Sequence, residues 1–173
     1  MNLQRAKTAT RQQGIGLVEI LIAVVLISMG FLAAARMQVE GMRFSRSAYH
    51  QSQAYFLATE MIDRMRSNLD AVNAGLYTDQ STSASATDPG CAVIQCGPPG
   101  IAAQDIYDWS THLHPLLGST GFVPALPSTT AIPARGQILD MGNSIFAVLI
   151  SWNEVVNGND EEQQLRIQFA MES

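Results

Sequence analysis

The sequence predicts an α+β protein in which a long N-terminal helix packs on a small C-terminal antiparallel sheet. No proline occurs before Pro89, so nothing rigid interrupts a helix from Ile15 to about Leu69. Within that segment apolar residues recur at helical spacing, whereas they alternate along the last forty residues, as in a strand. All seven prolines lie between Pro89 and Pro133, which places an irregular region between the two.

The predicted helix has two halves of different character. From Ile15 to Ala35 the only charged residue is Glu19, and this stretch would span about 31 Å as a helix, enough to cross a membrane. The second half is amphipathic, with apolar residues at Ala54, Leu57, Ala58, Met61, Ile62, Met65 and Leu69. We expect this face to pack against the sheet.

The middle of the chain is predicted to be mostly irregular. Thr78 to Asp88 is nearly all Ser, Thr, Ala and Asp, which is typical of a mobile loop. A short helix is predicted where four apolar residues keep helical spacing, at Ile106, Trp109, Leu113 and Leu116. Pro115 should strain the end of that helix.

Two C-terminal segments alternate with a period of two. Residues 145–152 are apolar at nearly every position, which predicts a strand buried on both faces. Residues 164–171 alternate polar and apolar side chains, which predicts a strand with one face in water. A turn is expected at residues 157–160, and residues 135–141 are a candidate third strand.

The composition limits the classes of function. A chain of 173 residues suits one ordinary domain, and its single long apolar run excludes a polytopic membrane protein. The net charge is −5, yet three of the ten bases lie in the first 14 residues, which hold no acid. The remaining chain is strongly acidic, so we expect no nucleic-acid partner.

No cofactor, metal or catalytic motif is evident in the sequence. His112 and His114 are two residues apart, so a helix would point them to different sides, and no further ligands lie at suitable spacing. Four residues separate Cys91 from Cys96, which is too many for a redox Cys-x-x-Cys motif. There is neither a Gly-rich phosphate loop nor a nucleophile elbow. We therefore do not expect an enzyme.

Glu19 is the feature that distinguishes the N-terminal segment from a secretory signal peptide or a plain anchor. A carboxylate in an apolar segment costs about 2.5 kcal/mol or more unless it finds a partner. Cleavage after Gly14 would make Ile15 a free amino terminus, whose ammonium could compensate Glu19 in the same chain or in a packed neighbour.

Residues 14–19, Gly-Ile-Gly-Leu-Val-Glu, resemble the class III leader of type IV pilins and pseudopilins. The resemblance implies cleavage after Gly14 by a prepilin peptidase and N-methylation of Ile15, although the usual first mature residue is Phe. It also implies the pilin fold and a role for the Glu19 charge in assembly.

A second motif is similar to the PilV-like minor pilins, the type IV pilus modification proteins. It runs from Gln53 to Asn68 and ends in an Asp-Arg-Met-Arg-Ser-Asn block. The residues near Trp109 and the late strand that ends at Trp152 are also similar to that group. Asp63, Arg64 and Arg66 in the block are candidate subunit contacts, but a solvated helix face with weak ion pairs explains them equally well.

The resemblance implies a minor pilin that helps prime pilus assembly and forms part of the pilus tip. Its partners would be the major pilin, other minor pilins and a large tip adhesin, and its roles twitching motility and adhesion. The precursor would be a single-pass inner-membrane protein with a cytoplasmic N-terminus, and the mature chain would enter the periplasm and the fibre. The alternatives are a type II secretion pseudopilin and, less favoured, a membrane-anchored periplasmic binding domain.

The expected organisation has three parts. Residues 1–14 are the leader, residues 15–36 are the transmembrane and assembly helix, and residues 37–173 are the periplasmic globular domain. Because that domain would lie in an oxidising compartment, we predict a disulfide between Cys91 and Cys96.

Overall fold

A computed structural model gives the structure of the protein and describes residues 16–116, 121–156 and 158–171. Three helices precede three strands along the chain, which is the α+β arrangement that the sequence predicts. The elements are α1 (Leu17–Ser67), α2 (Leu69–Asn73), α3 (Pro98–Leu113), β1 (Arg135–Asp140), β2 (Ile145–Val156) and β3 (Asn159–Ala170). The predicted leader, residues 1–14, and Ile15 lie outside the described residues.

The chain divides into two units after Phe44. In the first unit, the described residues form the N-terminal part of α1, and an 18-residue window there has a mean hydropathy of 2.6 and no buried residue. By length and composition this helix is compatible with a membrane anchor. The second unit, which starts at Ser45, contains the remainder of α1, the two other helices and the sheet.

The sheet is antiparallel, with strand order β1-β2-β3. Val148 in the central strand β2 lies opposite Ile138 of β1 and Ile167 of β3. β2 is buried on both faces along most of its length, and β3 alternates exposed and half-buried side chains from Glu162 to Ala170. Both patterns agree with the predictions from sequence periodicity.

The hairpin between β2 and β3 is tighter than the sequence suggests. Val156 already pairs with Asn159, and Gly158 takes a φ of +85°. Asn159 and Asp160 were predicted in the turn, but they already belong to β3. A two-residue loop is favoured because its backbone twist matches that of the flanking strands.

The core of the second unit lies between the inner face of α1, α3 and the sheet. Five of the seven residues on the predicted amphipathic face are at most 4% exposed, and Leu57 is 6% exposed. They cluster with the buried side chains Trp109, Ile138, Phe146, Val148 and Ile150. The expected packing of α1 on the sheet is therefore present, and α3 covers part of the same face.

The helix ends differ slightly from the predictions. α1 stops at Ser67 because Asn68 leaves the helical conformation, at φ −127° and ψ 58°, and the short helix α2 follows. α3 begins at Pro98, well before the predicted start at Ile106, since proline is favoured in the first turn of a helix. α3 ends at Leu113, so Leu116 is buried but lies outside the helix.

Candidate functional site

Glu19 lies in the first turn of α1, where its backbone N–H donates to the carbonyl oxygen of Gly16 at 2.9 Å. Its side chain is exposed, as are all the described residues from Gly16 to Arg46. Gly14 and Ile15 lie outside the described residues, so the cleavage site and the methylated amine remain predictions from the sequence.

The first unit presents apolar side chains to its surroundings on all sides. Its large hydrophobic residues, from Leu17 to Phe44, are between 46% and 76% exposed. Apolar surface on this scale marks a contact with lipid or with other proteins. This exposure is compatible with a membrane anchor.

The Arg64 cluster, formed by Arg64, Glu60, Asp105 and Asp108, joins α1 to α3. The guanidinium of Arg64 donates to Glu60 Oε1 at 2.8 Å, Asp105 Oδ1 at 3.0 Å and Asp108 Oδ2 at 3.1 Å. Burial alone would lower the pKa of Arg64, but the hydrogen bonds to Glu60 and Asp105 raise it above its ordinary value. Arg64 therefore stays charged and holds three carboxylates from two helices.

A buried tyrosine extends the Arg64 cluster into the chain that follows α2. The hydroxyl of Tyr77 donates to Asp105 Oδ2, and the amide of Asn68 donates to Tyr77 Oη at 3.3 Å and to the carbonyl of Pro98 at 3.0 Å. Burial, together with the hydrogen bond to Asp105, raises the pKa of Tyr77. Tyr77 therefore stays neutral and donates a hydrogen bond to Asp105, whose side chain is only 8% exposed.

The three charged residues of the Asp-Arg-Met-Arg block differ in their surroundings. Arg64 forms ion pairs within α1 and with α3, so it is not part of a solvated helix face. Asp63 and Arg66 are 75% and 55% exposed at the side chain and approach each other to 3.5 Å. Arg66 also lies 5.9 Å from the ring centre of Phe169. Asp63 and Arg66 are therefore the accessible charged residues of the block, and Arg64 is not.

Sequence reasoning missed most of the Arg64 cluster. Only Glu60 has a local signal, because it lies one helical turn before Arg64. Asp105 and Asp108 are 41 and 44 residues away from Arg64, and no periodic pattern connects such distant positions.

A disulfide joins Cys91 and Cys96, as predicted. The side chain of Gln104 links this loop to the Arg64 cluster, since its Oε1 accepts from the N–H of Cys91 at 3.2 Å and its Nε2 donates to Asp108 Oδ1 at 2.8 Å. Within the loop Val93 is 90% exposed and Ile94 is 59% exposed. The disulfide loop therefore presents two apolar side chains to solvent.

The histidines have separate environments. His114 Nε2 lies 2.9 Å from the hydroxyl oxygen of Thr82, and burial lowers the pKa of its imidazole. His50, on α1, has a buried Nδ1 without a hydrogen-bond partner, and burial lowers its pKa too. In the ranges that the structure describes, no group of three or more His, Cys, Asp or Glu residues is arranged to hold a metal ion.

Protein-family models, curated proteins and solved structures were compared with this chain, and none of them matches it.

Proposed function

We propose that this chain is a minor pilin of the type IV pilus, similar to the PilV-like group, that helps to prime assembly and forms part of the tip. The observation that supports the proposal best is α1 itself, a helix of 51 residues. Its N-terminal part is apolar and exposed on all sides, with one carboxylate in the first turn, and its C-terminal part contributes a core face to an α+β unit. A membrane anchor alone needs neither the carboxylate nor the continuous helix.

The proposed mechanism concerns the charge of Glu19. Cleavage after Gly14 would remove three positive charges and expose an ammonium at Ile15, four residues before the carboxylate. When the subunit leaves the bilayer, its apolar helix packs among other such helices, where the dielectric constant stays low. A carboxylate that meets a neighbour's ammonium there gains far more than it would in water, provided that both charges are paired. The pair would also set the axial register of adjacent helices.

The proposed partners follow from this mechanism. The exposed apolar helix would bind the helices of the major pilin and of other minor pilins, and Asp63 and Arg66 are available for contacts between globular domains. A large adhesin would complete the tip and support adhesion and twitching motility. Before assembly the chain would be a substrate of the prepilin peptidase in the inner membrane.

Glu19→Ala tests the proposal, with Glu40→Ala as the matched control. Both residues are exposed carboxylates of α1, but Glu40 lies beyond the apolar run and 3.7 Å from Arg43. We expect Glu19→Ala to insert and to be cleaved but to be missing from sheared pilus fractions, whereas Glu40→Ala assembles. Gly14→Val should leave a larger precursor in the inner membrane.

The mature amino terminus provides the second test. If protein sequencing shows that the wild-type chain keeps residues 1–14 in the cell, the pilin proposal is wrong. If the chain is cleaved but Glu19→Ala still assembles as the wild type does, the charge-pairing mechanism is wrong and the rest of the proposal stands.

A further inference from the structure

In the described part of the chain, one outer edge of the sheet is covered by other residues and the other outer edge is not. The outer edge of β1 is covered by residues 80–82, since the N–H of Thr82 donates to the carbonyl of Gly136 at 2.9 Å and the N–H of Ile138 donates to the carbonyl of Gln80 at 2.8 Å. The outer edge of β3 has no such cover. Among the described residues, the backbone of β3 pairs with β2 alone along all twelve of its residues.

An uncovered edge strand presents a row of unpaired backbone donors and acceptors, which is a template for another strand. Natural edges are often protected by proline, by a short strand or by charged side chains. β3 contains no proline and is twelve residues long. Three of its four charged residues, Asp160, Glu161 and Glu162, are confined to the hairpin end, and along the remainder Leu165, Ile167 and Phe169 face the core side. These features favour pairing with a further strand.

Beside this edge lies an apolar groove between α1 and β3. It is lined by Ala48, Gln51, Ser52, Tyr55, Phe56 and Leu165. Tyr55 is 54% exposed and Phe56 is 64% exposed, although both belong to the folded second unit. A strand added to β3 would turn alternate side chains toward this groove, because successive side chains of a strand point to opposite faces.

The acidic residues of β3 lie at one end of the strand, and they would fix the direction in which an added strand binds. Asp160, Glu161 and Glu162 lie at the hairpin end, and Glu154 of β2 is directly opposite Glu161. Of these four carboxylates, only Glu162 has a cation within 4.0 Å in the described part of the chain, Arg135 at 3.6 Å. Like charges opposite each other in a sheet are unfavourable, so a basic residue of a partner would relieve them.

We infer that the outer edge of β3 binds an extended segment of a partner protein by strand addition. The segment has alternating apolar side chains that enter the groove beside Phe56, and basic residues at the end that lies next to Asp160, Glu161 and Glu162. Backbone hydrogen bonds supply the attachment, while the groove and the acidic end select the sequence and its direction. The inference uses only the second unit, so it does not depend on the proposed function.

The probe is a fluorescent peptide of about nine residues, a usual strand length, with alternating valine and threonine and two arginines at one end. Its binding to the full chain in detergent micelles is measured by anisotropy, with empty micelles as a blank. We expect saturable binding that weakens as salt is raised.

Two further peptides, N-methylated at either the odd or the even amides, test the pairing, because an added strand uses the amides of only one edge. One of the two should lose binding and the other should keep it.

Variants of the chain test the groove and the acidic end. Phe56→Ser should weaken binding roughly tenfold, as expected for an aromatic contact, whereas Tyr49→Ser should leave it nearly unchanged. Tyr49 is the matched control, because it is an exposed aromatic residue of α1 outside the groove. Reversing Glu161 and Glu162 to lysine should weaken binding, while Asp70→Lys, at an exposed acid outside the sheet, should not.

Several outcomes would overturn the inference. These are absence of saturable binding, equal binding of both N-methylated peptides, and binding that Phe56→Ser leaves unchanged. If the chain instead self-associates through β3, the peptide fails to bind while Phe56→Ser abolishes a dimer, and the occupant is a second copy rather than a partner.

Discussion

The indole ring of Trp109 lies so close to the backbone of Gly136 that a β-carbon at residue 136 would overlap its carbons Cη2 and Cζ2. The same side chain donates from Nε1 to the carbonyl oxygen of Leu57 at 3.1 Å. Trp109 is fully buried, and it therefore connects α3 both to β1 and to α1.

Gly136→Ala should destabilise the second unit by about 1–3 kcal/mol, the usual cost of overpacking, because the new methyl group displaces the indole. Thermal unfolding of the full chain in detergent, followed by near-ultraviolet circular dichroism, measures this effect. Gly97→Ala is the control, since the nearest atom to its β-carbon would be Pro99 Cδ at an ordinary 3.9 Å. Equal melting temperatures for Gly136→Ala and the wild type would contradict the close contact.

Met61→Ala should cost about 2–5 kcal/mol, because it leaves a cavity on the buried face of α1. Met61 is 0% exposed, while Met42, on the same helix, is 66% exposed. We expect Met42→Ala to change the free energy of unfolding by less than about 0.5 kcal/mol. The packing of α1 in the core would be wrong if urea titrations placed both variants at the wild-type midpoint.

Arg64→Met should be more harmful than Arg66→Met, although both remove one guanidinium from the end of α1. The loss of Arg64 leaves Asp105, whose side chain is 8% exposed, without its cation. Breaking a fully buried pair costs about 3–5 kcal/mol; because the Arg64 side chain is 29% exposed, we expect about 2 kcal/mol. Arg66→Met should cost less than about 1 kcal/mol. Urea titrations of both variants measure these costs. Equal losses in the free energy of unfolding would show that the Arg64 cluster does not stabilise the fold.

Acid should destabilise the chain partly through His114. Burial lowers the pKa of His114 in the folded state, so the unfolded state binds a proton first. The stabilisation that depends on a neutral His114 is present above the unfolded pKa, about 6.5, and is lost as the pH falls below it. The difference in melting temperature between the wild type and His114→Gln should therefore change between about pH 7 and about pH 5.

His112→Gln is the control for this titration, because it removes an exposed imidazole two residues away. An effect that comes only from replacing an imidazole near the end of α3 would appear in this variant as well. If the His114→Gln profile runs parallel to that of the wild type, His114 does not contribute to the pH dependence.

Periodicity predicted those elements whose environment repeats along the chain. The inner face of α1 and the alternation of β2 and β3 are visible in the sequence because burial recurs every three to four residues in a helix and every two in a strand. The start of α3 was missed because Pro98, Pro99 and Gly100 resemble a loop, whereas proline in a first helical turn favours the helix. The Arg64 cluster depends on how α3 docks, which no local pattern specifies.

The cover over β1 limits the edges at which the sheet can pair with a strand of another molecule. Because residues 80–82 bind the backbone at the middle of β1, the described part of the chain leaves a full-length free edge only on the side of β3. Strand addition can then produce a pair but not an open-ended stack, since each copy offers a single free edge. A polymer that includes this chain must therefore propagate through surfaces other than its sheet, and the sheet is limited to a terminating contact.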